Sequence, residues 1–262
     1  MHDANIDLRQ WERIEVERSA VEALRRSNEF PTLSDAVIQR YSEPDPRTPF
    51  ALEYAYSRLG DVRGKTVLDF GCGAGENSVL IASHGGDVIG VDISPELIGI
   101  AEKRMKQRGL DRCRFMVGSA HGLPLPDSSV DVVFGMAILH HLDLKLASTE
   151  VFRVLRKGGR AIFMDPVRNS KMIRLLRDLV PYTSPDVSPN ERPLTDGELT
   201  KFCREFSSVA TRSFSLPFIN LIEAFGLSGR LLDIAIKFDG RLLRYFPFLN
   251  YYASVRVLEA KK

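Results

Sequence analysis

The chain has 262 residues, 44% hydrophobic and 27% charged, a balance ordinary for a folded globular protein. Its length allows one large domain, or one domain with a cap. A formal net charge of +2 gives no general attraction for nucleic acid. The three cysteines, Cys72, Cys113 and Cys203, have no C-x-x-C spacing, which argues against a zinc site or disulfide scaffold and fits a reducing cytoplasm. The polar, acidic N-terminus does not read as a signal peptide. No apolar run approaches the roughly 18 residues of a membrane span.

In chain order, residues 1–30 read as a helical arm, with Trp11, Ile14, Val21 and Leu24 near one face among alternating charges. Tyr41 to Pro49 is a proline-punctuated loop, and a helix follows over 49–60. Thr66-Val67-Leu68 is a short buried strand closed by Asp69. Gly71, Gly73 and Gly75 then alternate with Cys72 and Ala74, and a helical pattern starts near Asn77. A strand leading through a glycine turn into a helix lets a ligand lie on bare backbone beside free N–H groups. Val88 to Asp92 is a second strand ending in an acid, about 20 residues past the glycines, where a Rossmann-like unit places its ribose-binding carboxylate. Ser94-Pro95 opens a helix that Gly109 ends.

Cys113 to Val117 is the third strand and delivers Gly118, Ser119, Ala120 and His121 to the same edge. Asp131 to Phe134 is the fourth, opening into Gly135-Met136-Ala137-Ile138-Leu139-His140-His141. A helix over 144–156 and a Lys157-Gly158-Gly159 turn precede the fifth strand, Arg160 to Pro166. Five strands alternating with helices predict a doubly wound, mostly parallel α/β sheet with ligands at the carboxyl ends of its strands. Prolines break up 166–195 around a short helix, Met172 to Val180. Val209 to Phe214 reads as the sixth strand. Leu216 to Leu249 reads as a helical pair, and 252–258 as an alternating, antiparallel last strand.

V-L-D-F-G-C-G-A-G-E (67–76) with V-I-G-V-D-I-S (88–94) resembles the first two motifs of class I S-adenosylmethionine-dependent methyltransferases, strongly over residues 50–165. The resemblance implies a seven-stranded Rossmann-like fold with an antiparallel last strand. An N-terminal helical cap (1–48) precedes a catalytic domain (49–262) with helical insertions at 166–195 and 216–249. The implied cofactor is S-adenosylmethionine, with a small-molecule acceptor and no metal. The turn residues Gly71, Cys72, Gly73 and Gly75 would bind the donor's methionine end through backbone. Asp69 would order that turn or a water near the amino group. Asp92 would accept from the ribose, with Ile93, Ser119, Ala120 and Met136 around the adenosine. The family usually carries an acid or amide near Ser119; here a serine stands there, so the adenine contact falls to its hydroxyl or to backbone.

For the acceptor, His140 or His141 is the candidate general base, or both are pocket wall. Asp165 either binds the acceptor or caps a strand exit. Tyr41 either closes over the methionine end or packs the arm to the core. His84 and His121 are expected on the surface. Leu216 to Leu249 is read as lid, dimer interface or interfacial membrane helix. A cofactor-binding protein without turnover, and a methyltransferase working on a lipid-like acceptor at a membrane surface, are the alternatives to a soluble small-molecule enzyme.

Overall fold

The short apolar, β-branched runs pair side by side. They form β1 (Thr66–Phe70), β2 (Asp87–Asp92), β3 (Cys113–Val117), β4 (Val130–Met136) and β5 (Leu155–Pro166), all parallel. β7 (Val255–Lys261) lies between β5 and β6 (Ser208–Phe214), antiparallel to both. The order is β3-β2-β1-β4-β5-β7-β6, which reverses direction between β1 and β4. That reversal leaves a crevice at the strand ends where ligands bind in open α/β sheets. The structure is a computed structural model and describes residues 8–28, 33–170, 193–224, 226 and 229–262.

The helices among these are α1 (Leu8–Asn28), α2 (Asp35–Arg40), α3 (Ala51–Leu59), α4 (Glu76–Ser83), α5 (Pro95–Arg108), α6 (Leu144–Val154), α7 (Asp196–Phe202), α8 (Pro217–Ala224) and α9 (Arg230–Tyr245). Successive strand residues point to opposite faces, and both faces are apolar. Val67, Val132, Phe134 and Ile162 pack with Tyr56 and Leu59 of α3 and Val79 and Leu80 of α4. Leu68, Val133, Ala161 and Phe163 pack with Val151 and Val154 of α6 and Leu199 and Phe202 of α7. Each such large side chain contributes about 1.5–3 kcal/mol of burial, so both layers press on the sheet and hold its carboxyl rim rigid.

Several boundaries differ from the sequence reading. β5 starts at Leu155, which pairs with Val130 before a register shift, so Lys157 to Gly159 is an irregularity inside the strand. The last strand runs 255–261, because Pro247 to Tyr252 forms a 3₁₀ segment. It does not alternate between buried and exposed, since it is flanked by β5 and β6 and covered on both faces. Arg256 is buried there because it pairs with Asp196 at 2.7 Å. α2 was not legible in the pattern; Ser34 caps it, accepting from Val37 N at 3.4 Å. The helix expected at Met172 to Val180 lies outside the described residues. The helical pair expected over 216–249 is α8 and α9.

Candidate cofactor and active site

The turn between β1 and α4 is shaped by its glycines. Gly75 has φ +81°, and a Cβ there would stand 2.8 Å from the Ala101 Cβ, so the turn packs directly on α5. Gly73 has φ +51°, but a Cβ there would meet nothing within 4 Å. Its bare backbone therefore faces open space, the geometry of a cradle for a ligand. Arg104 of α5 donates to the Ala74 carbonyl and clamps the turn from behind. Asp92 ends β2 and accepts from Gly73 N at 2.9 Å and from Ser94 N at 3.0 Å, so one carboxylate joins the two motif loops. Burial raises its pKa, opposed by those backbone hydrogen bonds.

Asp69 lies beneath the same turn. The Ser78 hydroxyl donates to its Oδ2 at 2.5 Å, while Oδ1 is buried with no hydrogen-bond partner. Desolvation raises the Asp69 pKa to about 7; Ser78 opposes this, and the neighbouring Asp92 and Glu76 charges add to it. A buried oxygen without a partner is costly, about 1–3 kcal/mol. It is therefore a marked place for a ligand donor or a water. Cys72 is buried, and desolvation pushes its thiol well up, as for a packing residue.

Helix α1 crosses the rim and closes a cavity against it. Trp11, Glu12, Glu15, Arg18 and Ser19 form the outer wall. Gly71, Asp92, Ile93, Ser119, Ala120 and His141 are among the residues of the inner wall. The free volume is about 70 Å³. Glu12 is the latch. Its Oε1 receives the Ser119 hydroxyl and lies 3.1 Å from His121 Nδ1. His121 Nε2 accepts from Asp143 N at 2.9 Å, so Nδ1 carries the proton and donates to Glu12. The His121 side chain is only 5% exposed, which corrects its expected surface position. His84 is corrected too: it is half-buried, with Nε2 enclosed and burial holding its pKa down.

The two adjacent histidines have different surroundings. They sit in a 3₁₀ turn, Leu139 to His141, after a sharp reversal at Ala137, whose φ is +54°. Positive φ in a non-glycine residue stores strain and holds the rim in one shape. His141 lines the cavity, with Nδ1 3.5 Å from Glu15 Oε2. His140 turns to the other side, its Nδ1 2.9 Å from Asp165 Oδ1. Their rings are 4.1 Å apart. Asp165 is buried; desolvation raises its pKa, and His140 opposes that. Met136 and Tyr41 are not in the cavity wall. Met136 packs on the α3–α4 side of the sheet. Tyr41 rests on Tyr56 at 4.9 Å, and the Tyr56 hydroxyl donates to Asn77 Oδ1 at 2.7 Å. The residues missed by sequence reading are Glu12 and Glu15 of α1, whose contacts to the rim carry no local signal, and Arg18, which lines the cavity beside them.

The strand order, the glycine turn with its two acids and the crevice at the switch point are those of the Rossmann-like methyltransferase fold. Residues 68–163 match the methyltransferase domain family. It is similar to an uncharacterized methyltransferase, YcgJ, of Bacillus subtilis (36% identical over 100 residues, 38% of this chain and 40% of that one). It is also similar to a demethylmenaquinone methyltransferase of Lactococcus lactis (33% over 112 residues, 41% and 44%). These matches span less than half the length of the curated relatives. Among solved structures, the geranyl diphosphate C-methyltransferase of Streptomyces coelicolor, in complex with Mg2+, geranyl diphosphate and S-adenosyl-L-homocysteine, shares the fold. Its TM-score is 0.58 at 17% identity, over 80% of this chain and 77% of that one. The cofactor of the class is S-adenosylmethionine, and the open backbone at Gly73 and the unpartnered Asp69 Oδ1 fit it.

Proposed function

We propose that this protein transfers a methyl group from S-adenosylmethionine to a small-molecule acceptor, with the donor held between α1 and the carboxyl rim of β1 to β4. The observation that carries this reading is the Gly73 cradle bridged to Asp92 above a buried, half-satisfied Asp69. Gly73 and Asp69 would hold the amino-acid end, and Asp92 the ribose hydroxyls. Ile93 and Ala120 would flank the adenine. Glu12, held beside Ser119, supplies from the arm the acid that the third-strand loop lacks, and would accept from the adenine amino group. Ligand pockets run to about 300–1,000 Å³, far above the 70 Å³ now enclosed, so α1 moves outward to admit the donor.

When bound, the donor supplies an electrophilic methyl on a sulfonium. The protein's part is alignment, exclusion of water and removal of the acceptor's proton. His140 is the base for a hydroxyl or thiol. Its Nδ1 lies 2.9 Å from Asp165 Oδ1, and that carboxylate would orient the ring and stabilise the imidazolium after proton uptake. His141 is cavity wall. Asp165 Oδ2, buried without a hydrogen-bond partner, can hold a donor group of the acceptor. Amine and carbon acceptors remain within the same reading, as does a lipid-like acceptor. A cofactor binder without turnover is the competing class.

Radiolabelled donor with panels of thiols, phenols, amines, carboxylates and isoprenoid or quinone lipids tests this. Label transferred to one acceptor class, and lost in His140→Ala for a hydroxyl or thiol, is the expected result. Donor binding with no transfer to any class contradicts it and leaves the cofactor binder.

A further inference from the structure

Helix α9 is anchored along one side. Leu243 packs with Leu216 and Ala253, and Asp239 accepts from Ser215 N and Leu216 N at 3.1 and 2.8 Å. Gly240 lies so close to the loop before α3 that a Cβ would be 2.8 Å from Pro49. The opposite side is open and divides into two stripes. Leu231, Ile234, Phe238 and Tyr245 recur at i, i+3, i+7 and i+14 and are 61%, 62%, 53% and 73% exposed. Arg230, Lys237, Arg241 and Arg244 run alongside them, also exposed, and make no ion pair among the described residues. The 3₁₀ segment after α9 extends the apolar surface with exposed Phe248, Tyr251 and Tyr252. Scattered apolar residues need no explanation, but a rigid contiguous stripe does.

We propose that the open face of α9 and the 3₁₀ segment that follows dock on an anionic membrane surface. A helix lying in the bilayer interface buries an apolar stripe among the acyl chains while flanking cations reach anionic headgroups, their stems covering apolar surface. Tyrosines prefer that boundary, where one end of the ring is apolar and the other wet. The charge pattern selects this occupant over a second copy of the chain. Asp233 is the one exposed acid on the helix, so a self-paired face offers too little negative charge for its own cations. Nucleic acid would match the cations and leave the apolar stripe in water. β6 runs parallel to β1, so its Phe214 end lies at the ligand rim, and α8 and α9 leave from that rim. Docking would therefore bring the site's edge near the bilayer. The inference stands apart from the methyl-transfer reading.

Flotation of the full chain with vesicles of phosphatidylcholine alone, and with about one-third phosphatidylglycerol, tests it. Each cation near an anionic surface contributes about fivefold in affinity. The chain should float with the anionic vesicles and lose at least tenfold in binding at high salt or in Lys237→Glu/Arg241→Glu. Ile234→Ser/Phe238→Ser should also release it, with circular dichroism unchanged because both side chains are exposed. Absence from the anionic vesicle fraction overturns the proposal. So does flotation that both double variants leave intact, or a lipid-free dimer that Ile234→Ser/Phe238→Ser dissociates.

Discussion

The two walls of the cavity are built in different ways. The inner wall is the sheet's carboxyl rim: the glycine turn at Gly71, the β2 end at Asp92 and Ile93, and the loops that bring Ser119, Ala120 and His141 beside them. The outer wall is side chains on one helix, joined to the rim by Glu12 to Ser119, partners 107 residues apart. A wall of the first kind is stiff, because Gly71 and Gly75 are pressed against Ile138 and Ala101 and Arg104 clamps the turn. A wall of the second kind is held by a few polar contacts and one small apolar patch, Ala23 against Ala74, Leu97 and Ile100, and can open. A site with one fixed and one movable wall can hold its ligand geometry and still admit the ligand.

Disruptions should therefore differ by wall. The largest effect is expected at the fixed rim. With a hydroxyl or thiol acceptor, His140→Ala should lower kcat by about 10²–10⁴-fold, while the donor dissociation constant stays nearly constant. His141→Ala should instead weaken the donor and spare the chemical step. Equal losses in both variants would remove the distinction drawn between them.

Next is Asp69. Its folded pKa of about 7 lies above the ordinary carboxyl value. The stability this group contributes is therefore full below about pH 4 and is lost as pH rises to about 7, by up to about 4 kcal/mol on the full shift. Urea midpoints of wild type should fall between pH 5 and pH 8, and Asp69→Asn should flatten that fall. An unchanged slope in the variant would assign the dependence to other groups.

The smallest effect is expected at the movable wall. Glu12→Ala removes the acceptor shared by Ser119 and His121, worth about 1–3 kcal/mol for hydrogen bonds to a charged group. It should speed donor association and loosen α1, seen as faster amide exchange in residues 8–28, with thermal stability of the sheet unchanged. Equal exchange in both proteins would mean that Glu12 is no latch.

The legibility of the sequence follows the same division. β1, its turn and Asp92 could be read because strand period, glycine spacing and terminal acid are local. Ser119 looked like a gap in the motif, and Glu12 could not be assigned to it, because no periodicity links an arm helix to a loop over a hundred residues away. His121 looked like a surface residue for the same reason: its partners, Glu12 and Asp143, come from other elements. The His140–His141 pair was found by position, but only the fold separates them, by turning one toward Asp165 and the other toward α1. The last strand misled by its Ser254 and Arg256, since a central strand can bury an arginine that has a partner.

Isothermal titration of the purified chain with S-adenosylmethionine and S-adenosylhomocysteine, in wild type and in Asp92→Ala, tests the central claim most directly. Asp92 joins the two motif loops, and losing a pair of charge-assisted hydrogen bonds should weaken binding by about 10–100-fold or more. The account predicts one site per chain, occupied at micromolar donor and largely lost in the variant. Absence of binding at high micromolar concentration, or equal affinity in Asp92→Ala, would contradict it.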